Sequence, residues 1–432
     1  MNSFLSKGHR KEWSMENIYS FLIAFLLIGS IYIVSIFGVI SYGEILIIVF
    51  DFLLLFKHKT ISLFSNVWLL AFTLYSVVLT LIVSLFLGGY ISEPISRLAR
   101  DAFYWVNIYV IAKSFLNYSI FEKWVLRLCV ALSVFIIIQS LVYYLTGIVI
   151  PGMLVNVTVS TSESVSEIYD HLAVMAQRNG YFKANGFLKE AAHCAQALFI
   201  GNIIIFERYK VDYDSRNLRL AILFSVASIM TFSASALVFV LCFWSIVCFD
   251  NLKMGRISKK MAIPFLFFLI GALFFSLFLD VDLNFSGVIE RITTASSANT
   301  ADGSSYYRIY RGFYYWATLP IQFKLFGIGF GNYDNFQRYF HLDYNNELMN
   351  EYMNSISYLL VSSGVIGIVF FFLFIYYLFR DGTSIAKYTI IGLLIMSLSS
   401  SPYSSVFWIW LMLIIINNQK HNPSFLVSEV TK

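Results

Sequence analysis

Glu190 and His193 stand three residues apart at the start of an apolar run, with the small residues Ala191, Ala192 and Ala195 beside them. On a helix that spacing places an acid and an imidazole on one face, next to a surface that another backbone can approach closely. Ionisable groups at the edge of a membrane are costly and face a polar cavity or a partner, which makes both candidates for proton transfer. A plainer reading stays open: Glu190 favours the positive end of the helix, and His193 hydrogen-bonds a neighbouring helix. Arginine supplies the second chemistry. Arg178 precedes this helix start, and Arg291, Arg308 and Arg311 lie in a second polar stretch far downstream. A guanidinium is a permanently charged fork that matches a phosphate, so arginines converging from two loops at a membrane surface would suit a lipid-linked diphosphate. Pairing with Asp170, Asp302 or Glu290, or with lipid headgroups, is the alternative.

The elements that must hold these residues are membrane helices. The chain is 59% hydrophobic and 13% charged over 432 residues, about half the charged share of a soluble domain. Apolar stretches of spanning length recur from residue 18 almost to the end, at 18–40, 42–56, 64–88, 98–117, 122–147, 188–206, 218–233, 235–250, 261–279, 354–379, 384–400 and 401–417. The expected fold is therefore all-α and polytopic, a single integral membrane domain over 1–432 with about twelve transmembrane helices. The first apolar run has no small-residue cleavage site and is expected to be retained.

Most of the 30 Lys and Arg residues fall in one alternate set of connections, which puts both termini in the cytoplasm. The short outer turns hold almost none apart from Arg97 and Arg100. The net charge of +5 is accounted for by this orientation signal and implies no nucleic acid. Two long outer loops remain, at 148–187 and 280–353, and acids outnumber bases in the second. It contains YYRIYRGFYYWATLP and then FGIGFGNY, an arrangement expected to form an ordered, surface-hugging loop. Its glycines are expected to allow φ > 0 turns and a close approach to a ligand or a helix rather than to cradle a nucleotide. Glu44 and Asp51 lie within a span, where structural pairing or snorkelling is expected. The four cysteines lack metal or disulfide spacing and read as buried hydrophobes.

Taken in order, these pieces resemble the O-antigen polymerase and ligase superfamily of bacterial inner-membrane glycosyltransferases, and within it the Wzy-type repeat-unit polymerases. The family runs from an arginine through G-F-x-x-E to a small pair, matched by Arg178, Gly186, Phe187, Glu190 and Ala191. An L-T-F-S type helix end follows, matched by MTFSASA with Ser233. Next come Arg311, Trp316, Pro320 and FGIGFGN (326–332), then Asn354 ahead of GVIG (364–367). The likeness covers about 178–380. Three positions depart from the pattern: Met353 stands where ligases carry His, Ala234 where many members have Arg or Gly, and Ala191 where Pro is usual.

The resemblance implies a GT-C-like enzyme of the inner membrane with two periplasmic loops. Its donor and acceptor would be undecaprenyl-diphosphate-linked oligosaccharides, and its other partners membrane lipids and a chain-length regulator protein, for O-antigen or capsule. A growing glycan would pass from its carrier to a sugar hydroxyl of the next unit. Arg178 and Arg311, supported by Arg308 and Arg291, would stabilise the leaving diphosphate, and Glu190 or His193 would take the acceptor proton. Tyr307, Tyr310, Tyr314 and Trp316 would stack on sugar faces, with Asn332 and Asn354 also on the glycan. No metal and no cofactor is expected. A ligase transferring polymer to the lipid A core, and a flippase or ion-coupled transporter, are the competing readings. The missing His weighs against the first, and the concentration of charge in two outer loops against the second.

Overall fold

The computed structural model describes residues 14–29, 42–58, 60–63, 66–89, 91–150, 152, 182–188, 190–212, 214–253, 312–340, 353–398, 405–421 and 428–431. The helices among them are α1 (Met15–Gly29), α2 (Tyr42–Lys57), α3 (Val67–Leu87), α4 (Ser92–Val106), α5 (Ala112–Phe115), α6 (Tyr118–Thr146), α7 (Ala191–Asp212), α8 (Ser215–Met230) and α9 (Ala234–Lys253). They continue with α10 (Gly312–Thr318), α11 (Ile321–Phe326), α12 (Tyr333–Tyr339), α13 (Ser355–Arg380), α14 (Ser384–Ser397) and α15 (Ser405–His421). One antiparallel ladder, β1 (Thr60–Leu63) with β2 (Ser428–Thr431), pairs Thr60 with Thr431 and Leu63 with Ser428. The chain divides into two compact units, the first 1–64 with 106–236 and 415–432, the second 65–105 with 237–414.

By length and composition α3, α6 and α13 are able to cross a membrane, and shorter apolar stretches lie at Met15–Leu26, Ser235–Asp250, Ser384–Ser397 and Val406–Asn418. The expected span at 261–279 is outside the described residues, as are 30–40 of the first. α3 shows the physical logic of a helix in lipid. Leu70, Leu74, Val78, Leu81 and Leu85 face outward, Leu85 at 75% exposure, whereas Thr73, Ser76, Thr80 and Ser84 are buried. A water-facing helix would reverse this pattern. The buried hydroxyls stay satisfied by donating one turn back, Ser76 to the Phe72 carbonyl, Thr80 to Ser76 and Ser84 to Thr80, each at 2.7 Å. Small side chains on that face also let other backbone approach. Asn66 caps the first turn through the Trp68 and Leu69 amides, and Gly88 at φ 61° ends the helix.

The span expected at 98–117 begins earlier, at Ser92, and runs through a π turn (Asn107–Ile111) into α5. SEPISR scores as polar, but Pro94 falls in the first turn, where it breaks no helical bond.

In the first unit, Asp51 Oδ2 accepts from Asn107 Nδ2 at 2.9 Å, and Asn107 Oδ1 accepts from the Tyr19 hydroxyl at 2.8 Å. The buried acid therefore belongs to a side-chain chain across α1, α2 and the π turn. At the end of α2, Lys57 Nζ lies 2.7 Å from Glu16 Oε1, and His58 Nε2 lies 2.9 Å from the same oxygen.

Glu16 precedes the apolar run that starts at residue 18. The Lys57 ammonium, opposed by partial burial and helped by His58, holds its carboxyl down at about 2 against an ordinary 4.5. A depressed carboxylate stabilises the folded state fully above the ordinary value and loses that contribution as pH falls through the folded one. The thermal midpoint of detergent-solubilised protein is expected to drop as pH is taken from 5 towards 2, and to drop less in Glu16→Gln. Parallel curves for the two proteins would rule the contact out as an acid-sensitive clamp.

Candidate functional site

In the first unit the segment leading into GFLKEA is laid across the end of α6. Phe182 stacks on Tyr143 with ring centroids 4.8 Å apart, and its amide donates to the Tyr144 hydroxyl at 3.3 Å. The Gly186 amide donates to Gln139 Oε1 at 2.9 Å, while Gln139 Nε2 donates to the Ile150 carbonyl at 2.8 Å. One glutamine thus fastens both arms of the loop. Phe187 stacks on Phe135 at 4.6 Å. Gly186 has φ 56°, and a Cβ there would collide with Leu132 Cδ1 and crowd Ile136 and Cys194, so this turn favours glycine.

The turn delivers the chain to α7. Glu190 sits one residue before Ala191, and its carbonyl accepts from the His193 amide at 3.1 Å. Both side chains are half-buried at the first turn. The Cys194 thiol is buried and donates to the Asn185 carbonyl at 2.8 Å.

MTFSASA meets the same end of α6. The Ser140 hydroxyl donates to the Met230 carbonyl at 3.3 Å, Phe232 lies 6.0 Å from the Tyr144 ring, and Ser233 and Ser235 share a 2.8 Å hydrogen bond. Phe232 has φ 50°, a left-handed conformation that a bulky residue adopts at a cost of about 1–2 kcal/mol and keeps only where its surroundings enforce it. Two segments more than 40 positions apart in sequence, GFLKEA and MTFSASA, are thereby joined through Gln139, Ser140, Tyr143 and Tyr144. Those four α6 residues were not singled out from the sequence, where they look like the polar fringe of an apolar span.

The second unit contains the glycine-rich segment. Of the loop expected at 280–353, the described part forms the three short helices α10, α11 and α12, and 327–332 between the last two lies along α3. The Tyr75 hydroxyl donates to the Phe326 carbonyl at 2.6 Å, and Thr80 Oγ1 accepts from the Phe330 amide at 2.9 Å. At 1.5 Å per residue, Tyr75 lies about 18 Å and Thr80 about 10 Å back from the end of α3. The segment is buried there, so its backbone groups must be satisfied by protein.

α13 supplies them. It breaks at Gly364 (φ 63°, ψ −172°), and the carbonyls of Val361 and Ser362, freed from the helix, accept from the Ile328 and Gly329 amides at 3.1 and 2.9 Å. A discontinuous helix and the glycine-rich segment thus complete each other's hydrogen bonding. Gly327, Gly329 and Gly331 have φ of 91°, 79° and 71°, matching the expectation of φ > 0 turns and a close approach to a helix.

The site residues expected from sequence fall into three groups. Arg178, Arg291, Arg308, Arg311, Tyr307 and Tyr310 lie outside the described residues. Glu190 and His193 occupy the first turn of the first unit's motif, as described. Of the remainder, Tyr314 is exposed on α10, while Trp316 is half-buried with its Nε1–H on the Lys324 carbonyl at 3.2 Å. Asn332 is fully buried: Oδ1 lies 2.9 Å from the Ser84 hydroxyl, whose one proton is shared between this oxygen and the Thr80 carbonyl, and Nδ2 donates to the Thr80 carbonyl at 3.3 Å. Asn354 is buried as the cap of α13, accepting from the Ser357 amide at 2.9 Å. In this structure both asparagines are engaged in holding backbone. Tyr75, Thr80 and Ser84 were missed by sequence reasoning, although the recurrence of Thr73, Ser76, Thr80 and Ser84 in an apolar run was a visible signal of a packed face. Compared with known proteins, the sequence matches no family model and no curated relative.

Proposed function

We propose that this chain is an oligosaccharide repeat-unit polymerase of the bacterial inner membrane. It transfers a growing glycan from undecaprenyl diphosphate to a sugar hydroxyl of the next lipid-linked unit on the periplasmic side. The observation that carries the reading is the glycine-rich segment, whose close fit to α3 and to the break in α13 gives a physical reason for the motif's glycines and for the GVIG that follows it. The helix-end motifs GFLKEA and MTFSASA support it in the same way, since they share one end of α6.

The chemistry is displacement at an anomeric carbon. The bond from that carbon to the diphosphate oxygen breaks, the bond to the acceptor oxygen forms, and the acceptor hydroxyl loses its proton. Arg178 and Arg311, with Arg308 and Arg291, offset the charge that grows on the leaving oxygen, which lowers the barrier because the interaction strengthens in the transition state. Glu190 or His193 takes the proton. Tyr307, Tyr310, Tyr314 and Trp316 offer ring faces to the sugars. Met353, buried and apolar before α13, stands where a ligase of this superfamily would hold an imidazole, which favours polymer extension over transfer to the lipid A core.

The test is reconstitution in liposomes with lipid-linked repeat units. A ladder of carrier-linked products supports the reading, transfer to added core lipid A without extension would make the chain a ligase, and unconsumed substrate would reject both. In the same assay Glu190→Gln is expected to slow extension about 100-fold or more if the carboxylate is the base, the lower end of general-base contributions. Retained activity in that variant moves the assignment to His193, and His193→Gln must then show the loss.

A further inference from the structure

The last turn of α6 carries a ring that the packing leaves half-open. Tyr144 is 50% exposed, yet its hydroxyl is turned back onto the protein and accepts the Phe182 amide at 3.3 Å. A tyrosine of an interfacial belt does the reverse, burying its ring among apolar groups and sending its hydroxyl to headgroups and water. Two rings stand beside it, Tyr143 at 5.4 Å and Phe232 at 6.0 Å. They are inclined to it by 81° and 50°, so neither of them is stacked flat on its face.

Phe232 brings strain and hydroxyls to the same place. Among the described residues it is the one non-glycine position with φ > 0. A bulky residue held in that region is a mark of ligand clamps and active sites. Ser233 and Ser235 follow it, both half-buried, with their hydroxyls 2.8 Å apart. Their mutual bond uses one of the two hydroxyl protons, which leaves the pair a donor and further lone pairs. Because Ser140 fastens the preceding Met230 carbonyl, the ring and the hydroxyls are presented from anchored backbone.

Ring surface beside paired hydroxyls is the chemistry of pyranose recognition: the C–H face of the sugar packs on the aromatic, and its hydroxyls exchange hydrogen bonds with the serines. The same place is tied to the acid and imidazole of α7. Phe182, on Tyr144, is three residues from Asn185, whose carbonyl accepts the Cys194 thiol in the first turn that carries His193. Three residues of chain span at most about 10 Å, the scale of a short oligosaccharide.

We propose that Tyr144, Phe232, Ser233 and Ser235 form a sugar-binding subsite in the first unit, which holds the acceptor unit beside Glu190 and His193. The assignment to the acceptor rests on the polymerase reading, in which that pair of residues supplies the base. The glycan contacts expected from sequence all lie at 307–354, so these four positions are additional to them.

The probe is the repeat-unit oligosaccharide released from its carrier by mild acid, with binding read by saturation-transfer NMR from aromatic protons of the protein in nanodiscs. Wild type is expected to bind it, and Tyr144→Ala and Phe232→Gly are each expected to weaken it about 10-fold, the scale of one aromatic contact. In the liposome assay the same variants are expected to raise KM for the lipid-linked acceptor with kcat nearly unchanged. Glycine adopts φ > 0 freely, so Phe232→Gly removes the ring and the strain together and is expected to keep a thermal midpoint close to wild type. Tyr144→Phe retains the ring and is expected to recover most of the affinity, whereas Ser233→Ala with Ser235→Ala loses part of it. A belt or packing role moves membrane abundance and midpoint but leaves the oligosaccharide affinity where it was. Absence of binding to wild type, or unchanged affinity in both Tyr144→Ala and Phe232→Gly, would overturn the subsite, and the polymerase reading would stand if ladders still form. Binding that depends on Tyr144 without any ladder would keep the subsite and remove the polymerase reading.

Discussion

Gly327→Ala and Gly364→Ala are each expected to abolish accumulation of folded protein in the membrane, although each adds one methyl group. Gly327 (φ 91°, ψ 171°) and Gly364 (φ 63°, ψ −172°) both occupy a backbone region that is essentially restricted to glycine. A Cβ on Gly327 would land on the Ser362 carbonyl and 2.6 Å from the Gly364 amide nitrogen, and one on Gly364 would land on the Leu325 carbonyl. These obstacles are main chain and cannot rotate away. Conformational strain of about 1–3 kcal/mol and overpacking of about 1–3 kcal/mol fall on the same contact in either variant. Together they rival a large part of the total stability of a domain, about 5–15 kcal/mol.

Gly147→Ala supplies the control. Its φ of 73° is also left-handed, but its Cβ would meet open space, so only the conformational part applies. It is expected to fold with a modestly lower thermal midpoint. Folded yield by size-exclusion profile and midpoint in detergent measure all three. Because Gly327 and Gly364 obstruct each other, the double variant is expected to cost less than the sum of the singles. A Gly327→Ala protein with wild-type yield and midpoint would sink the pairing of the glycine-rich segment with the broken helix.

Arg311→Ala is expected to leave membrane abundance near wild type and to reduce polymer formation by about 100-fold to 1000-fold, the usual loss when a donor aimed at developing negative charge is removed. Arg311 immediately precedes Gly312, and a Cβ on Gly312 would collide with Ser357 and lie 3.3 Å from Met353 Cγ at the capped start of α13. The residue after the arginine is thus seated against an element whose own first turn is tied down by Asn354. Arg178→Ala is expected to behave likewise, and Arg311→Lys to fall between, since a lysine keeps charge but loses the two-pronged geometry. Gel profiles of the glycan from cells carrying each variant, alongside immunodetection of the protein, provide the measurement. Long polymer of normal abundance from Arg311→Ala would exclude the role.

Hydropathy alone determined much of the helical layout. α2, α3, α6, α13 and α14 lie where the apolar runs at 42–56, 64–88, 122–147, 354–379 and 384–400 place them, because a run of that length has no other economical way to satisfy its backbone in lipid. The short turn in MTFSASA was also legible, as was the need for φ > 0 in GIGFG. Local composition carries those features. It did not carry the early start of α4, since averaging over SEPISR hides the fact that its charges share one inward face.

Nor did it carry the break in α13. GVIG sits in a continuous apolar stretch, and glycine alone does not interrupt a helix there. What opens it is the offer of Ile328 and Gly329 amides to the Val361 and Ser362 carbonyls, from more than 30 residues away in sequence. The same holds for Gln139 reaching both Gly186 and Ile150, for Asn107 meeting Asp51, and for Arg97 lying against Gly331. A sequence states which groups must be buried and how often they recur along a helix. Which of them become partners is decided only when distant backbone is brought within hydrogen-bond reach, and in lipid, where water satisfies nothing, that choice is what builds the site.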